Sequence, residues 1–125
     1  MPWRYIQVDT TDPAFNLALE EYVFESLSKD YNYFILWQNA PTVVIGRHQN
    51  TFSEVNEAYI REKNIRVVRR LSGGGAVYHD LGNLNFTFIQ DAAGKEPDLA
   101  LFCQPVASAI RRLGANAEVN GRNDI

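Results

Sequence analysis

The chain has 125 residues, 46% apolar and 22% charged, with a formal net charge of −3. That length supports one domain with a core, the composition is that of a soluble globular protein, and the negative balance offers no basic field for nucleic acid. No apolar run is long enough to span a bilayer and MPWRYIQVDT lacks the apolar centre of a signal peptide, so no membrane partner and a cytoplasmic location are expected. The lone cysteine, Cys103, cannot close an internal disulfide, in keeping with a reducing compartment.

In chain order, Trp3 to Val8 alternates as a strand. Asp12 then offers an N-cap with Pro13 at the first helical position. Phe15, Leu19, Tyr22, Val23, Ser26 and Leu27 recur at helical spacing and predict a helix to about Leu27 with one apolar stripe. Asn16 and Glu20 lie four apart on it, and composition alone reads Asn16, Leu17 and Ala18 as ordinary helix. Tyr33 to Trp37 is a nearly continuous apolar run, Gln38-Asn39-Ala40-Pro41 a turn, and Thr42 to Ile45 a second run. Together they predict a buried β-hairpin with a longer loop, in which Trp37 fills the core. Gly46-Arg47-His48-Gln49-Asn50 is a polar cluster. A short helix is expected from Ser53 or Asn56 to Asn64, with Asn64 left-handed and with Glu54, Glu57 and Arg61 on a solvated face.

From Arg69 to Phe88 the sequence reads RRLSGGGAVYHDLGNLNFTF. A strand, Ile65 to Leu71, breaks at Gly73-Gly74-Gly75 and resumes as an alternating run through Phe86 and Phe88, predicting a glycine-rich hairpin. Adjacent glycines remove every Cβ, so a ligand or another backbone can approach the main chain. Arg69, Arg70, Ser72, Tyr78, His79, Asp80 and Asn83 surround the bare patch and suit an anion with a polar head. The pattern leaves a second reading open: a hairpin with incidental polar flanks, His79 hydrogen-bonded within it and Asp80 to Asn83 only a turn.

Asp91 to Asp98 reads as a surface loop. Asp98 caps a helix whose Leu99, Phe102, Cys103, Val106, Ile110 and Leu113 share a face and which ends at Gly114; Cys103 is then a buried structural thiol. Arg111 and Arg112 suit the helix dipole. Ala115 to Val119 is expected as a short strand before NGRNDI. The fold class expected is α/β: a mixed, mostly antiparallel sheet flanked by helices, in one domain, with its site on the glycine-rich hairpin.

As a whole string, RRxSGGGAVYHDxGNxNxT resembles the signature of lipoate-protein ligases, adenylating enzymes of the biotin and lipoate ligase superfamily. The NLALE segment of the first helix, the tryptophan at 37, VVIGRHQN and the terminal GRNDI are similar to further segments of that family. In such ligases a lysine in a K-x-S-G context follows the last motif, whereas the lysines here are Lys29, Lys63 and Lys95. The resemblance therefore implies the N-terminal portion of the catalytic domain, incomplete at its C-terminus, with the remainder missing or supplied by a separate polypeptide.

The resemblance also implies an activity: ATP-dependent conversion of lipoate to lipoyl-AMP, then transfer to a lysine of lipoyl-domain acceptors such as 2-oxoacid dehydrogenase E2 subunits and glycine cleavage H protein. Arg70, His79 and Asn83 are the catalytic candidates. For ATP they are Arg70, Gly75, Ala76, Val77, Tyr78 and Asp124, with Asp124 also holding Mg²⁺. For lipoate they are Leu17, Trp37, Arg70, Ser72, Gly74 and His79. Two other readings are an octanoyl or lipoyl transferase, which works through a cysteine thioester without ATP, and a non-catalytic lipoate- or nucleotide-binding module. GGGAVYHDLGN looks like the ligase version of the motif, and Cys103 on a core face disfavours the thioester route.

Overall fold

A computed structural model describes residues 1–121 and 123–125, so Arg122 of the GRNDI stretch lies outside the described residues. They form two compact units, Met1–Gln90 and Asp91–Ile125. The first contains β1 (Trp3–Ile6), α1 (Pro13–Ser26), β2 (Asn32–Trp37), β3 (Thr42–Ile45), α2 (Thr51–Glu54), α3 (Glu57–Glu62), β4 (Arg66–Arg69), β5 (Val77–His79) and β6 (Asn85–Ile89); the second contains α4 (Leu99–Arg112).

The expected α/β class is present, with the strands divided between two three-stranded sheets of order β1-β2-β6 and β4-β3-β5. Each middle strand has one parallel and one antiparallel neighbour: β2 runs parallel to β1 and antiparallel to β6, and β3 parallel to β4 and antiparallel to β5. The parallel pairs are possible because a helical crossover, α1 in one case and α2 with α3 in the other, returns the chain to the same end of the sheet.

The expected hairpin between β2 and β3 does not form, since the two strands lie in different sheets. Their link is packed rather than turned: Asn39 is fully buried, Ala40 N–H donates to Thr11 O at 2.9 Å, and Asn16 Nδ2 donates to Gln38 O at 2.9 Å. Polar groups bound to the start of α1 cannot close a tight turn, so β3 departs into the second sheet. The glycine-rich stretch is likewise not a hairpin. β4 and β5 flank β3 on opposite sides, and residues 70–76 cross over its end.

Asp12 caps α1 as expected, its Oδ1 accepting from Ala14 N at 2.9 Å and Phe15 N at 3.2 Å and pairing with Arg66 at 3.0 Å. The helix is rotated from the predicted stripe: Phe15 and Tyr22 are exposed, while Asn16 and Val23 are buried and Leu19 and Leu27 pack on the core of Val23, Tyr33, Ile35 and Trp37. The buried amide of Asn16, committed to the link after β2, sets that rotation. Of the two starts offered for the next helix, Asn56 is the N-cap of α3 through its bond from Tyr59 N, and Asn64 is left-handed at φ 54°.

In the second unit, Asp98 accepts from Ala100 N, Cys103 and Ala107 are buried, and Gly114 takes φ 94° just past the helix. Leu99 and Leu113, expected on the buried face, are exposed. Ala115 to Val119 forms no strand, because no second strand in this unit is available to pair with it among the described residues; only an isolated bridge joins Asn120 to Asp124.

Candidate functional site

In the first unit a cleft of about 810 Å³ opens between α1 and the strand ends of both sheets. One wall is α1, with Ala14, Leu17, Ala18 and Phe24 among its acidic neighbours Glu20, Glu21 and Glu25. Opposite stand Val68, Leu71 and the β6 residues Thr87, Phe88 and Ile89, and Arg47, Arg69, Arg70 and Ser72 also line it. The cleft thus joins apolar side chains of α1, β4 and β6 with three α1 carboxylates and the guanidinium groups of Arg47, Arg69 and Arg70, and its apolar and cationic parts suit an apolar chain carrying an anionic head.

The three arginines are differently committed. Arg69 straps the loop after β3, donating to Gly46 O, Arg47 O and Gln49 O at 3.0, 3.2 and 2.6 Å and to Thr51 Oγ1 at 3.0 Å. Arg70 holds the glycine loop: its Nη2 donates to Gly73 O at 2.9 Å and Gly75 O at 2.7 Å, and Nη1 to Val44 O at 3.4 Å. A guanidinium has five N–H groups in a planar fork, so Arg70 keeps donors in reserve for an anion. The exposed Arg47 side chain has no hydrogen-bond or ion-pair partner among the described residues.

The loop crosses β3 at Gly46, where a Cβ would fall inside the van der Waals shell of Gly74 O, and Gly74 itself sits at φ 103°. The crossing is pinned by backbone bonds from Arg47 N to Ser72 O at 2.9 Å and from Arg70 N to Ile45 O at 3.0 Å. At Gly73 and Gly75, by contrast, a Cβ would meet nothing within 4 Å. Packing therefore requires glycine at 46 and the positive φ requires it at 74, whereas at 73 and 75 the main chain is left bare toward open space.

Two polar relays connect with the cleft, the first through its lining residues Glu20 and Thr87. Trp37 Nε1 donates to Thr87 Oγ1 at 3.0 Å, and that hydroxyl donates to Glu20 Oε1 at 2.6 Å. Asn39 Nδ2 is 3.1 Å from His79 Nδ1, and the His79 ring lies edge-on to Trp37 at 6.0 Å between centroids. Burial, then the charge of Arg70, hold the His79 pKa below its ordinary value.

Of the sequence-predicted residues, the cleft lining brings together Leu17, Arg70 and Ser72. Trp37 is buried in the core, reaching the lining through Thr87, and His79 is linked to it through its ring edge. Gly74, Gly75 and Ala76 belong to the loop that Arg70 holds, and Val77 and Tyr78 on β5 are exposed. Asn83 is exposed in a turn in which Asn83 N–H donates to Asp80 O at 3.1 Å. Asp124 is an exposed carboxylate in the second unit, and no group of three or more His, Cys, Asp or Glu side chains is arranged to hold a metal among the described residues. Sequence reasoning assigned no function to Glu20, Arg47, Val68 or Thr87. The GRHQN cluster, the four-residue spacing of Asn16 and Glu20, and the closing threonine of RRxSGGGAVYHDxGNxNxT were the available signals for three of them, but the contact of Thr87 with Trp37 follows only from the pairing of β6 with β2.

Residues 12–125 match the family described as the lipoyl protein ligase A/B catalytic domain. The chain is 53% identical over 116 residues to lipoate-protein ligase 1 of Staphylococcus aureus, covering 92% of this chain but 35% of that protein. It is similar in structure to LipL1 of P. falciparum in complex with lipoate, with a TM-score of 0.83 and 28% identity over 97% of this chain and 39% of the other. A lipoate-protein ligase A bound with ATP gives a TM-score of 0.80 and 29% identity over 98% of this chain and 52% of the other.

Proposed function

We propose that this chain, which belongs to the lipoyl protein ligase A/B catalytic-domain family, carries the acyl-activating site of an ATP-dependent lipoate-protein ligase. The observation that carries this reading is the meeting, in one cleft, of an apolar wall with the arginines and Ser72 of a glycine loop. Similarity to proteins that bind lipoate and ATP supports the choice of ligands.

A lipoate carboxylate oxygen attacks the α-phosphorus of ATP, the bond to pyrophosphate breaks, and lipoyl-AMP results. A lysine amine of the acceptor then attacks the acyl carbon, and AMP leaves. The carboxylate is already a nucleophile, so the protein's work is to align two anions and hold developing charge. Leu17 and Phe24 flank the acyl chain, and Trp37 backs it through Thr87. Arg70 and Ser72, beside Gly74, receive the carboxylate end. Main-chain groups of Gly75, Ala76, Val77 and Tyr78 contact the nucleotide, and His79 and Asn83 donate to acyl or phosphate oxygens. Asp124, an exposed carboxylate, is the residue that would hold Mg²⁺, an ion that takes one or two carboxylates and would neutralise phosphate charge. Lipoyl domains of E2 subunits and H protein are the acceptors. The chain spans 35% of its Staphylococcus aureus relative's length, and the remaining steps fall to the rest of such a ligase.

The test is lipoate-dependent ATP–pyrophosphate exchange, with the intact mass of the preparation measured alongside to identify every polypeptide present. Exchange that requires lipoate and disappears in Arg70→Ala supports the reading. Saturable lipoate binding without exchange in a ligase completed with its remaining segment replaces it with a binding module. Acyl transfer without ATP replaces it with a transferase.

A further inference from the structure

Two backbone carbonyls determine which nitrogen of His79 carries its proton. The Asn16 side-chain nitrogen lies 3.1 Å from Thr10 O and 2.9 Å from Gln38 O. Carbonyls only accept, so this atom must be the NH₂ and not the amide oxygen. The same nitrogen is 3.1 Å from Asn39; its two hydrogens are shared among these three neighbours, and a second NH₂ there would set donor against donor, so Asn39 presents its Oδ1 on that side and its NH₂ on the other. That NH₂ is 3.1 Å from His79 Nδ1. An amide NH₂ donates and does not accept, so Nδ1 holds a lone pair.

We infer that Asn16 and Asn39 are positioning residues that hold His79 as the neutral imidazole protonated on Nε2, so that it meets a substrate oxygen as an N–H donor. Reversing either amide would set oxygen against oxygen at Asn16 or leave the Asn39 NH₂ without its acceptor. Asn39 is fully buried and Asn16 is 3% exposed, so water cannot make up the loss. The arrangement is kept although it leaves Asn16 Oδ1 buried with no partner among the described residues. A donor at Nε2 suits acyl activation, where the carboxylate attacks already ionised and charge on oxygen must be held. This catalytic consequence rests on the ligase reading; the tautomer does not.

The experiment is a long-range proton–nitrogen correlation spectrum of the ¹⁵N-labelled chain, with His79 assigned by comparison with His79→Gln. Expected are a pyridine-type Nδ1 and a pyrrole-type Nε2 for His79. In Asn39→Asp the new carboxylate can only accept from Nδ1, and the two patterns are expected to exchange. A pyrrole-type or averaged Nδ1 in the wild type overturns the assignment, and so does an unchanged His79 pattern in a folded Asn39→Asp. If that variant does not fold, the wild-type spectrum decides alone. In the complete ligase, folded Asn39→Asp is expected to lower lipoate-dependent exchange roughly 100-fold, the loss of one donor to developing charge, with lipoate KM little changed. No substrate enters the spectrum, so a ligase that fails to exchange leaves the tautomer standing, and a wrong tautomer leaves the ligase reading standing.

Discussion

The two sets of glycines make opposite predictions. In Gly46→Ala the new Cβ meets the backbone oxygen of Gly74, not the end of a flexible side chain. Relief requires moving a loop pinned by Arg47 N to Ser72 O, Arg70 N to Ile45 O and the Arg70 guanidinium. Overpacking of this kind costs about 1–3 kcal/mol, and for a unit of 60–100 residues each kcal/mol lowers Tm by roughly 4–8 °C. In Gly75→Ala the methyl enters open space and no left-handed φ opposes it. There the smaller entropy of the unfolded chain leaves stability unchanged or raised by about 0.4–1 kcal/mol. Yet the same methyl occupies the bare main chain proposed to meet the nucleotide, so ATP–pyrophosphate exchange should fall. Thermal unfolding of both variants, with exchange measured below their transitions, separates the two effects. A Gly46→Ala as stable as the wild type, or a Gly75→Ala with undiminished exchange, would refute the division of the glycines into packing and ligand positions.

Thr87→Val removes the acceptor of the buried Trp37 indole N–H. Urea unfolding should show a loss of about 1–3 kcal/mol, the cost of leaving such a group unsatisfied. Arg47→Ala should leave stability unchanged, since its side chain is exposed and has no partner among the described residues, and weaken lipoate binding by calorimetry roughly tenfold or more, because it takes one guanidinium from the cleft that receives the carboxylate. His79, depressed by burial and by Arg70 from its ordinary 6.5, makes the unfolded chain the better proton binder. Its contribution to stability is full above about pH 6.5, falls with pH until the lower folded value is reached, and levels off there. The urea midpoint of the wild type should fall relative to that of His79→Gln as the pH drops through this range; parallel profiles would deny His79 that role.

Much of the local structure was legible because its causes are local. Asp12 with Pro13, Asn56, Asn64, Asp98 and Gly114 all mark helix ends through their own hydrogen bonds or φ preferences, and the structure has them there. Strand partners were not legible: apolar runs joined by four residues resemble a hairpin whether or not they pair. What decided the matter was Asn16, a polar residue buried by acceptors at Thr10, Gln38 and Asn39 that sequence spacing does not reveal. The same contact turned Phe15 and Tyr22 outward. At the site, SGGG and its arginines were evident as a place where backbone is bared, but not that Arg69 is engaged by three carbonyls and the Thr51 hydroxyl while the Arg47 side chain has no partner among the described residues. Those assignments depend on a crossing of β3 that appears only once both sheets are built.

Every strand pairing in the first unit is non-local, with a helical crossover or a whole second sheet between the partners. Trp37 waits for Thr87, 50 residues on, and Glu20 for the same residue, 67 residues on. Such loops must close before their contacts contribute, which places folding on the slow side for a domain of this size. On a ribosome adding 5–20 residues per second, the apolar β2 run is extruded roughly 3–10 s before its antiparallel partner. During that interval β2 can pair with β1 but its other edge has no partner, and this edge, rather than the glycine loop, is where the nascent chain is most open to aggregation and to chaperones.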